Sequence, residues 1–467
     1  MQLVMTLRLR VALIGLAAAI LLLGAVRLGD LAGYDDALFA LEAKGIVRTG
    51  AWLTPSCRGA PALEHPPLFV WTQAAFLSVF GVSDPVAKFP SALCGLGTVL
   101  LVFWLARLLL RDSLAASAAM FIMLATPYFI KYAGRAMTDV PATFLFAAAV
   151  CAWLLAEENP RWYLGAGALT AAALMVRGLI GVALPVIFAL HLLAVRKRPP
   201  WRYVIPALAI AIVPIAAWYV YLLERWGGYF IGAHEGWLQR EVYGGFASPW
   251  RRYTGLPEYV WMLAKSYWPW LPVLCLGMLA VIRDRARPLY LLLGWAGTVL
   301  LLCAAAHSRV LRYMLPAYPA FAILSAIGLV RYLRREWVER ALNWAAALSV
   351  PAALGIVLLW PAHRHATEIR EVARQNNRAL PPAAAVGFYD KGDPRYDEAN
   401  QLEWYGENPP LFLQTREQLE DALQAGAPRV FVLDKAAYRA LIEPRPHEVI
   451  AEAGHLVSVR LTNRQAP

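Results

Sequence analysis

Long unbroken apolar blocks fill most of this chain, and short clusters of arginine and lysine separate them. Val11–Val26, Val86–Ala106 and Tyr203–Leu223 approach the ~20 residues a helix needs to cross a ~30 Å hydrocarbon layer. Backbone inside lipid must satisfy its own hydrogen bonds, and these blocks do not alternate as barrel strands do, so the pattern predicts a helical bundle.

The basic clusters orient it, because cytosolic loops carry the lysine and arginine excess. Arg8 and Arg10 place the amino terminus inside, and the chain emerges near Arg27 into an outer loop, Leu28–Pro67. Leu68–Val82 holds Thr72, Gln73 and Ser78, and if it crossed, every later basic cluster would land outside. It is expected to lie along the interface or re-enter, with Phe69, Trp71, Phe76 and Phe80 at headgroup level. Further spans are expected near 86–106, 113–130, 138–156, 162–176, 178–195, 203–223, 267–282, 288–306, 313–330 and 341–361, with Arg177 and Gly178 as an outer turn. That makes about eleven spans, range 11–13, in an all-α polytopic membrane bundle whose carboxyl terminus lies outside. The bundle is expected over 1–361, with outer loops at 28–67, 131–139 and 224–266.

From His363 the pattern becomes that of a soluble fold. Ala385–Tyr389, Arg429–Leu433, Glu448–Glu452 and Leu456–Leu461 read as strands. Thr415 with Gln418 forms a capping box, and Asp434 is placed to cap a second helix. Residues 362–467 are therefore expected to form a small extracytoplasmic α/β domain.

Composition adds little that pattern does not. At 59% hydrophobic and 16% charged, the chain exceeds the apolar content of soluble domains, which marks an integral membrane protein. Its net charge of +12 sits in loops between apolar blocks, a topology signal that leaves no role for nucleic acid. Cys94, Cys151, Cys275 and Cys303 lie in apolar runs and Cys57 stands alone in an outer loop, so cysteine spacing suggests no metal site. The first apolar run lacks a clear small-residue cleavage site before Arg27 and reads as a retained span.

Chemistry gathers on the outer rim. Asp35, Asp36, Glu64, Asp139 and His234 all fall in outer loops, although a helical bundle has no structural need to collect acids on one face. Asp35 or Asp36 would also serve as a cap for a helix starting near Ala37, and Thr138 or Asp139 as a cap for the span that follows. The double proline after His65 holds that histidine in an extended conformation, free to present its ring. Arg177 and Arg312 supply guanidinium forks suited to phosphate oxygens, the alternative being snorkelling to headgroups.

Asp35-Asp36, Trp52, Pro55 and Glu64-His65-Pro66-Pro67-Leu68, followed by Phe80-Gly81-Val82 and Lys88-Phe89-Pro90, form an ordered set. That set resembles the membrane glycosyltransferases of the C-type fold, in the branch of the protein mannosyltransferases and the aminoarabinose transferases of lipid A. Arg312-Tyr313-Met314-Leu315-Pro316-Ala317-Tyr318-Pro319 resembles another phrase of that family. The resemblance implies Asp35 as catalytic base, Asp36 and Asp139 as organisers of the acceptor, and Glu64 with His234 at a divalent metal ion. It implies Arg177, Arg312 and His65 at the donor phosphate, Arg135 as a further anion partner, and no nucleotide cofactor. Departures are Leu38 and Phe39 where the family carries arginine and tyrosine, and His65 where it carries lysine.

The implied activity is transfer of a sugar from a polyprenyl phosphate to lipid A, another glycan or a protein, at the outer face of a bacterial inner membrane. A transporter or flippase of a polyprenyl-linked sugar is the competing class. It would place its ionisable groups near the midplane and often show repeats, whereas here they favour span ends and no repeat is apparent. A scaffold whose soluble domain binds partners is the third.

Overall fold

The computed structural model describes residues 5–31, 33–57, 60–241, 249–359, 367–381, 384–389, 397–408 and 410–462. In chain order the helices are α1 (Leu7–Ala25), α2 (Gly33–Thr49), α3 (Leu68–Phe80), α4 (Asp84–Leu110), α5 (Ser113–Leu124), α6 (Pro127–Ala133), α7 (Asp139–Leu155), α8 (Trp162–Gly181) and α9 (Ala183–Val195). There follow α10 (Trp201–Glu241), α11 (Pro249–Ser266), α12 (Leu271–Arg283), α13 (Tyr290–Ala305), α14 (Tyr318–Tyr332) and α15 (Arg335–Leu359). The chain divides into two compact units, Met1–Val26 with Ala51–Pro55 and Pro61–Trp360, and Arg27–Gly50 with Ser56–Ala60 and Pro361–Pro467.

The first unit is the membrane bundle. Among the described residues seven helices are long and apolar enough to cross a membrane, or nine if the bent pairs Ser113–Leu124 with Pro127–Ala133 (62°) and Thr254–Ser266 with Leu271–Arg283 (120°) each count as one. The other two expected spans fall on shorter apolar helices, α7 and α9, and the expected interfacial segment is the 13-residue α3. Between α12 and α14, glycine permits contact that any side chain would block. A Cβ at Gly277 would lie 1.8 Å from the Leu324 carbonyl oxygen, and one at Gly328 would lie 2.1 Å from that of Val273. Arg10, which with Arg8 places the amino terminus inside, is 4% exposed: its Nε donates to Asn343 Oδ1 at 2.9 Å and its Nη2 meets Glu339 at 3.2 Å. Helix packing turned a topology charge into an interhelical tie.

The second unit is built on a five-stranded sheet. Its strands β1 (Val386–Tyr389), β2 (Pro410–Leu413), β3 (Val430–Asp434), β4 (His447–Ala453) and β5 (Leu456–Leu461) stand in the order β2-β1-β3-β5-β4, parallel among the first three and antiparallel thereafter. Val430 and Val432 join one core, with Ile369 and Val372 of α16 (Glu368–Ala379), while Phe431 and Leu433 join another, with Leu419 and Leu423 of α18 (Arg416–Ala425). Both faces of the sheet are covered, which is why β3 reads as an unbroken apolar run. The capping box at Thr415 and Gln418 forms, and Asp434 accepts from the Ala437 amide at 2.7 Å. Strand β2 and helices α16 and α17 (Asp397–Tyr405) were not expected.

Residues 27–50 differ from expectation: they cluster with the carboxyl-terminal unit rather than with the bundle, and the expected boundary at 361/362 lies outside the described residues. The cause is a set of polar ties. Asp30 accepts from the Thr367 amide at 2.6 Å, from its hydroxyl at 3.2 Å, and from Arg370. The Leu31 amide donates to Tyr405 Oη at 2.9 Å, and Gln401 Nε2 donates to the Leu31 carbonyl at 2.6 Å. Lys44 Nζ donates to the carbonyls of Glu403 at 3.1 Å and Trp404 at 2.8 Å. Burial pushes the Lys44 ammonium down to about 8, with Arg48 adding to the effect.

Candidate active site

In the first unit the site is built where helices break. Helix α8 leaves helical geometry at Arg177 (φ −150°, ψ 58°) and Gly178 (φ 2°, ψ −91°), the position expected to turn. A broken turn frees the Arg177 side chain from its helix row. It pairs with Asp139, whose carboxylate is 1% exposed in the first turn of α7, where a helix dipole favours negative charge. From the 3-10 turn Leu311–Ala317 ahead of α14, Arg312 brings Nε to 3.8 Å from the other Asp139 oxygen. Two guanidinium groups thus converge on one buried carboxylate.

The ring of Tyr313 lies against both, 4.4 Å from Arg177 Cζ and 5.4 Å from Arg312 Cζ, a cation–π arrangement that holds the forks in place. Thr138 makes no capping bond; its Oγ1 is 3.5 Å from Arg177 Nη1. Asp139 thus orients two arginines. Arg309 is held by Glu258 and, at 2.9 Å, by Thr254, while Arg135 packs over Tyr132 at 5.8 Å.

The Glu64–Pro67 run reaches the same break. A Cβ on Gly178 would touch Pro66 Cγ at 3.5 Å, so a larger residue there would press on the proline pair. The His65 ring meets Trp237 edge-on at 6.1 Å. Trp237 also packs with His234 at 5.4 Å, and Tyr219 and Phe230 flank that histidine at 5.4 and 5.5 Å. His234 Nδ1 is buried without a hydrogen-bond partner among the described residues, which also contain no group of three or more metal-ligating side chains. Near the motif residues Trp52 and Pro55, the Trp52 carbonyl accepts from Trp71 Nε1 at 2.5 Å and the Pro55 carbonyl from the Ala62 amide at 2.8 Å.

Asp35 and Asp36 belong to the second unit. Helix α2 starts at Gly33, not near Ala37, so both carboxylates stand inside its first turn rather than at a cap. Asp35 is half-buried and Asp36 is 1% exposed. Tyr313 and Trp237 escaped sequence reasoning, although Tyr313 stood in a quoted phrase, and Thr138 figured there only as a cap; contact across helices is what gives them a role.

A profile of the family described as dolichyl-phosphate-mannose-protein mannosyltransferase matches residues 64–221. An uncharacterized protein of Aquifex aeolicus is 26% identical over 339 residues, 70% of this chain and 62% of that one. The undecaprenyl phosphate-alpha-4-amino-4-deoxy-L-arabinose arabinosyl transferase of Edwardsiella ictaluri is 25% identical over 357 residues, 69% of this chain and 61% of that one. This chain thus matches about three fifths of the length of these relatives. Among solved structures, ArnT from Cupriavidus metallidurans bound to undecaprenyl phosphate superposes with a TM-score of 0.80 at 18% identity, covering 98% of this chain and 99% of that one. Its apo state gives 0.76. The chain shares the fold of these solved structures, and its ordered motifs and the matched profile are similar to those of the protein mannosyltransferases and aminoarabinose transferases.

Proposed function

We propose that this protein is an inverting glycosyltransferase that takes a sugar from a polyprenyl phosphate and passes it to an acceptor on the outer face of the bacterial inner membrane, where its carboxyl-terminal unit also lies. The convergence of Arg177 and Arg312 on Asp139 carries the reading, because paired guanidinium forks held by a buried carboxylate suit a phosphate whose charge grows as the bond to sugar breaks. The named relatives that act on undecaprenyl phosphate-linked aminoarabinose support the donor class. Lipid A, a glycan and a protein hydroxyl are the acceptor classes.

In this mechanism Asp35 accepts the proton of the acceptor hydroxyl or amine while that oxygen or nitrogen attacks the anomeric carbon. The anomeric carbon–oxygen bond breaks toward the phosphate, which departs as an anion against the guanidinium donors. Asp36 assists Asp35 in organising the acceptor, and His65 is a further contact to the donor. Glu64 and His234 are proposed to hold a divalent cation that would offset the charge of the leaving phosphate; the unpartnered His234 Nδ1 supports the pair, and no step above depends on it.

Sugar transfer from an undecaprenyl phosphate-linked donor in liposomes tests the reading. Asp35→Asn should lower kcat by about 10²–10⁴-fold, the usual worth of a general base. Undiminished transfer would remove Asp35 from the mechanism, and sugar-lipid crossing the bilayer without covalent product would make the protein a flippase. Exhaustive chelation should lower turnover and release metal detectable by elemental analysis. Full activity from metal-free protein would discard the Glu64 and His234 assignment.

A further inference from the structure

Helix α11 devotes one face to the segment that carries Arg312 and Tyr313. Thr254, Gly255, Glu258 and Tyr259 recur along it at helical spacing, and all four meet residues 304–310. Arg309 Nη1 donates to Thr254 Oγ1 at 2.9 Å, and the Glu258 carboxylate pairs with the same guanidinium. Tyr259, fully buried, donates from Oη to the Val310 carbonyl at 3.3 Å. A Cβ on Gly255 would lie 2.3 Å from the Ala304 carbonyl oxygen, so only glycine lets the helix come this close.

The same helix reaches the other side of the turn. The chain bends by 120° between α11 and α12, and at that bend Ser266 Oγ and Tyr318 Oη share a hydrogen bond at 3.1 Å, while Tyr267 Oη and Ser325 Oγ share one at 3.3 Å. The 3-10 turn Leu311–Ala317 lies between these two sets of contacts. Arg312 and Tyr313 are therefore bracketed, at Arg309–Val310 by the face of α11 and at Tyr318 by its end. A 3-10 turn has poorer hydrogen-bond geometry than an α-helix, so its shape depends on how its ends are held.

Energetics separate aiming from stapling here. The Glu258 side chain is 43% exposed, and an ion pair so open to solvent adds little to global stability. Direction is another matter, because a guanidinium fork gives parallel hydrogen bonds to phosphate only over a narrow range of angles, and a misplacement of about 1 Å can cost about 10²-fold in rate. We propose that Glu258, acting through Arg309 three positions before Arg312, is a positioning residue that aims the Arg312 fork and the Tyr313 ring at the donor phosphate. The inference rests on the transferase reading, in which Arg312 meets that phosphate.

The experiment is a double-mutant cycle on the full chain in liposomes, with transfer from an undecaprenyl phosphate-linked sugar measured for wild type, Glu258→Gln, Arg312→Lys and the pair together, beside hydrogen exchange of residues 309–317. Glu258→Gln should lower kcat by about tenfold or more with KM little changed, keep the wild-type melting temperature, and speed exchange in that segment. With Arg312→Lys already present its effect on kcat should shrink below about twofold, since a lysine's flexible point charge does not depend on the angle of the turn. Should Glu258→Gln fail to fold, Tyr259→Phe, which removes one hydroxyl, takes its place in the same cycle. Unchanged exchange, full turnover despite faster exchange, or a loss that multiplies in full with that of Arg312→Lys would each overturn the assignment. Faster exchange in Glu258→Gln of a protein whose wild type transfers no sugar would instead remove the transferase reading and keep the bracket.

Discussion

Asp30 in the second unit and Asp139 in the bundle are both buried aspartates paired with arginine, each side chain 2% exposed, yet their surroundings prepare them for different work. Asp30 receives an amide and a hydroxyl from one residue, Thr367, together with Arg370 from the same helix region, so its acceptors are filled by donors that hold two chain segments together. Asp139 instead holds the forks of Arg177 and Arg312, drawn from two separate helix breaks and stacked on a shared tyrosine. A buried carboxylate that joins neighbours through short polar donors acts as a staple. One that gathers several guanidinium groups prepares a place for another anion.

That contrast is broken or sharpened by paired substitutions, the largest effect coming from the bundle. Arg177→Gln should reduce sugar transfer by about 10²–10³-fold, as loss of a preorganised electrostatic donor does elsewhere, with the fall in kcat exceeding any change in KM. A loss no greater than the fall in folded fraction would reduce Arg177 to a structural ion pair. Asp30→Asn should cost about 1–3 kcal/mol of stability, because it removes the charge of a buried carboxylate that accepts from Thr367 and the half-exposed Arg370, while the turnover of folded protein stays unchanged. Denaturant unfolding beside an activity titration separates the two, and lost turnover in folded Asp30→Asn would erase the distinction drawn here.

The smallest effect is a pH dependence of the second unit. Burial opposes the charge on His455, but Glu398 and Glu368 outweigh it and raise its pKa above 6.5. The Glu368 carboxylate, accepting from the His455 amide at 2.9 Å, is correspondingly lowered. A raised folded pKa means the stabilisation is complete below the unfolded value and is lost as pH rises through the folded one. Thermal unfolding between about pH 5.5 and 8.5 should show a decline in the wild type that His455→Gln flattens. Identical curves would show that the imidazole contributes nothing through its charge.

Legibility differed by the kind of signal each region carries. Apolar block length marked helices at all of the expected spans, and a capping box and alternating cores marked most of the α/β unit. Strand β2 was hidden because Pro410–Leu413 is four residues long and opens on a proline, which argues against a strand, and α17 because its Asp397–Tyr405 pattern is mixed. Arg177 stood out as a charge interrupting an apolar run, and the break at that point follows from Gly178 beside it. Its partner Tyr313 did not stand out, since an aromatic beside an arginine is ordinary until a second arginine arrives from another helix.

The order of apolar blocks, the acids between them and the basic loops determined a multi-pass helical protein with an appended α/β unit and named most of the ionisable groups worth testing. Only tertiary structure decided that residues 27–50 pack with the carboxyl-terminal unit and that Asp139 serves two arginines. It alone showed that Arg10 is buried against Asn343 and Glu339. The reason is physical: hydropathy and helix signals act over neighbouring residues and survive in one dimension. Burial of a charge and the convergence of guanidinium groups depend on partners tens to hundreds of positions away, which meet only once the helices have packed.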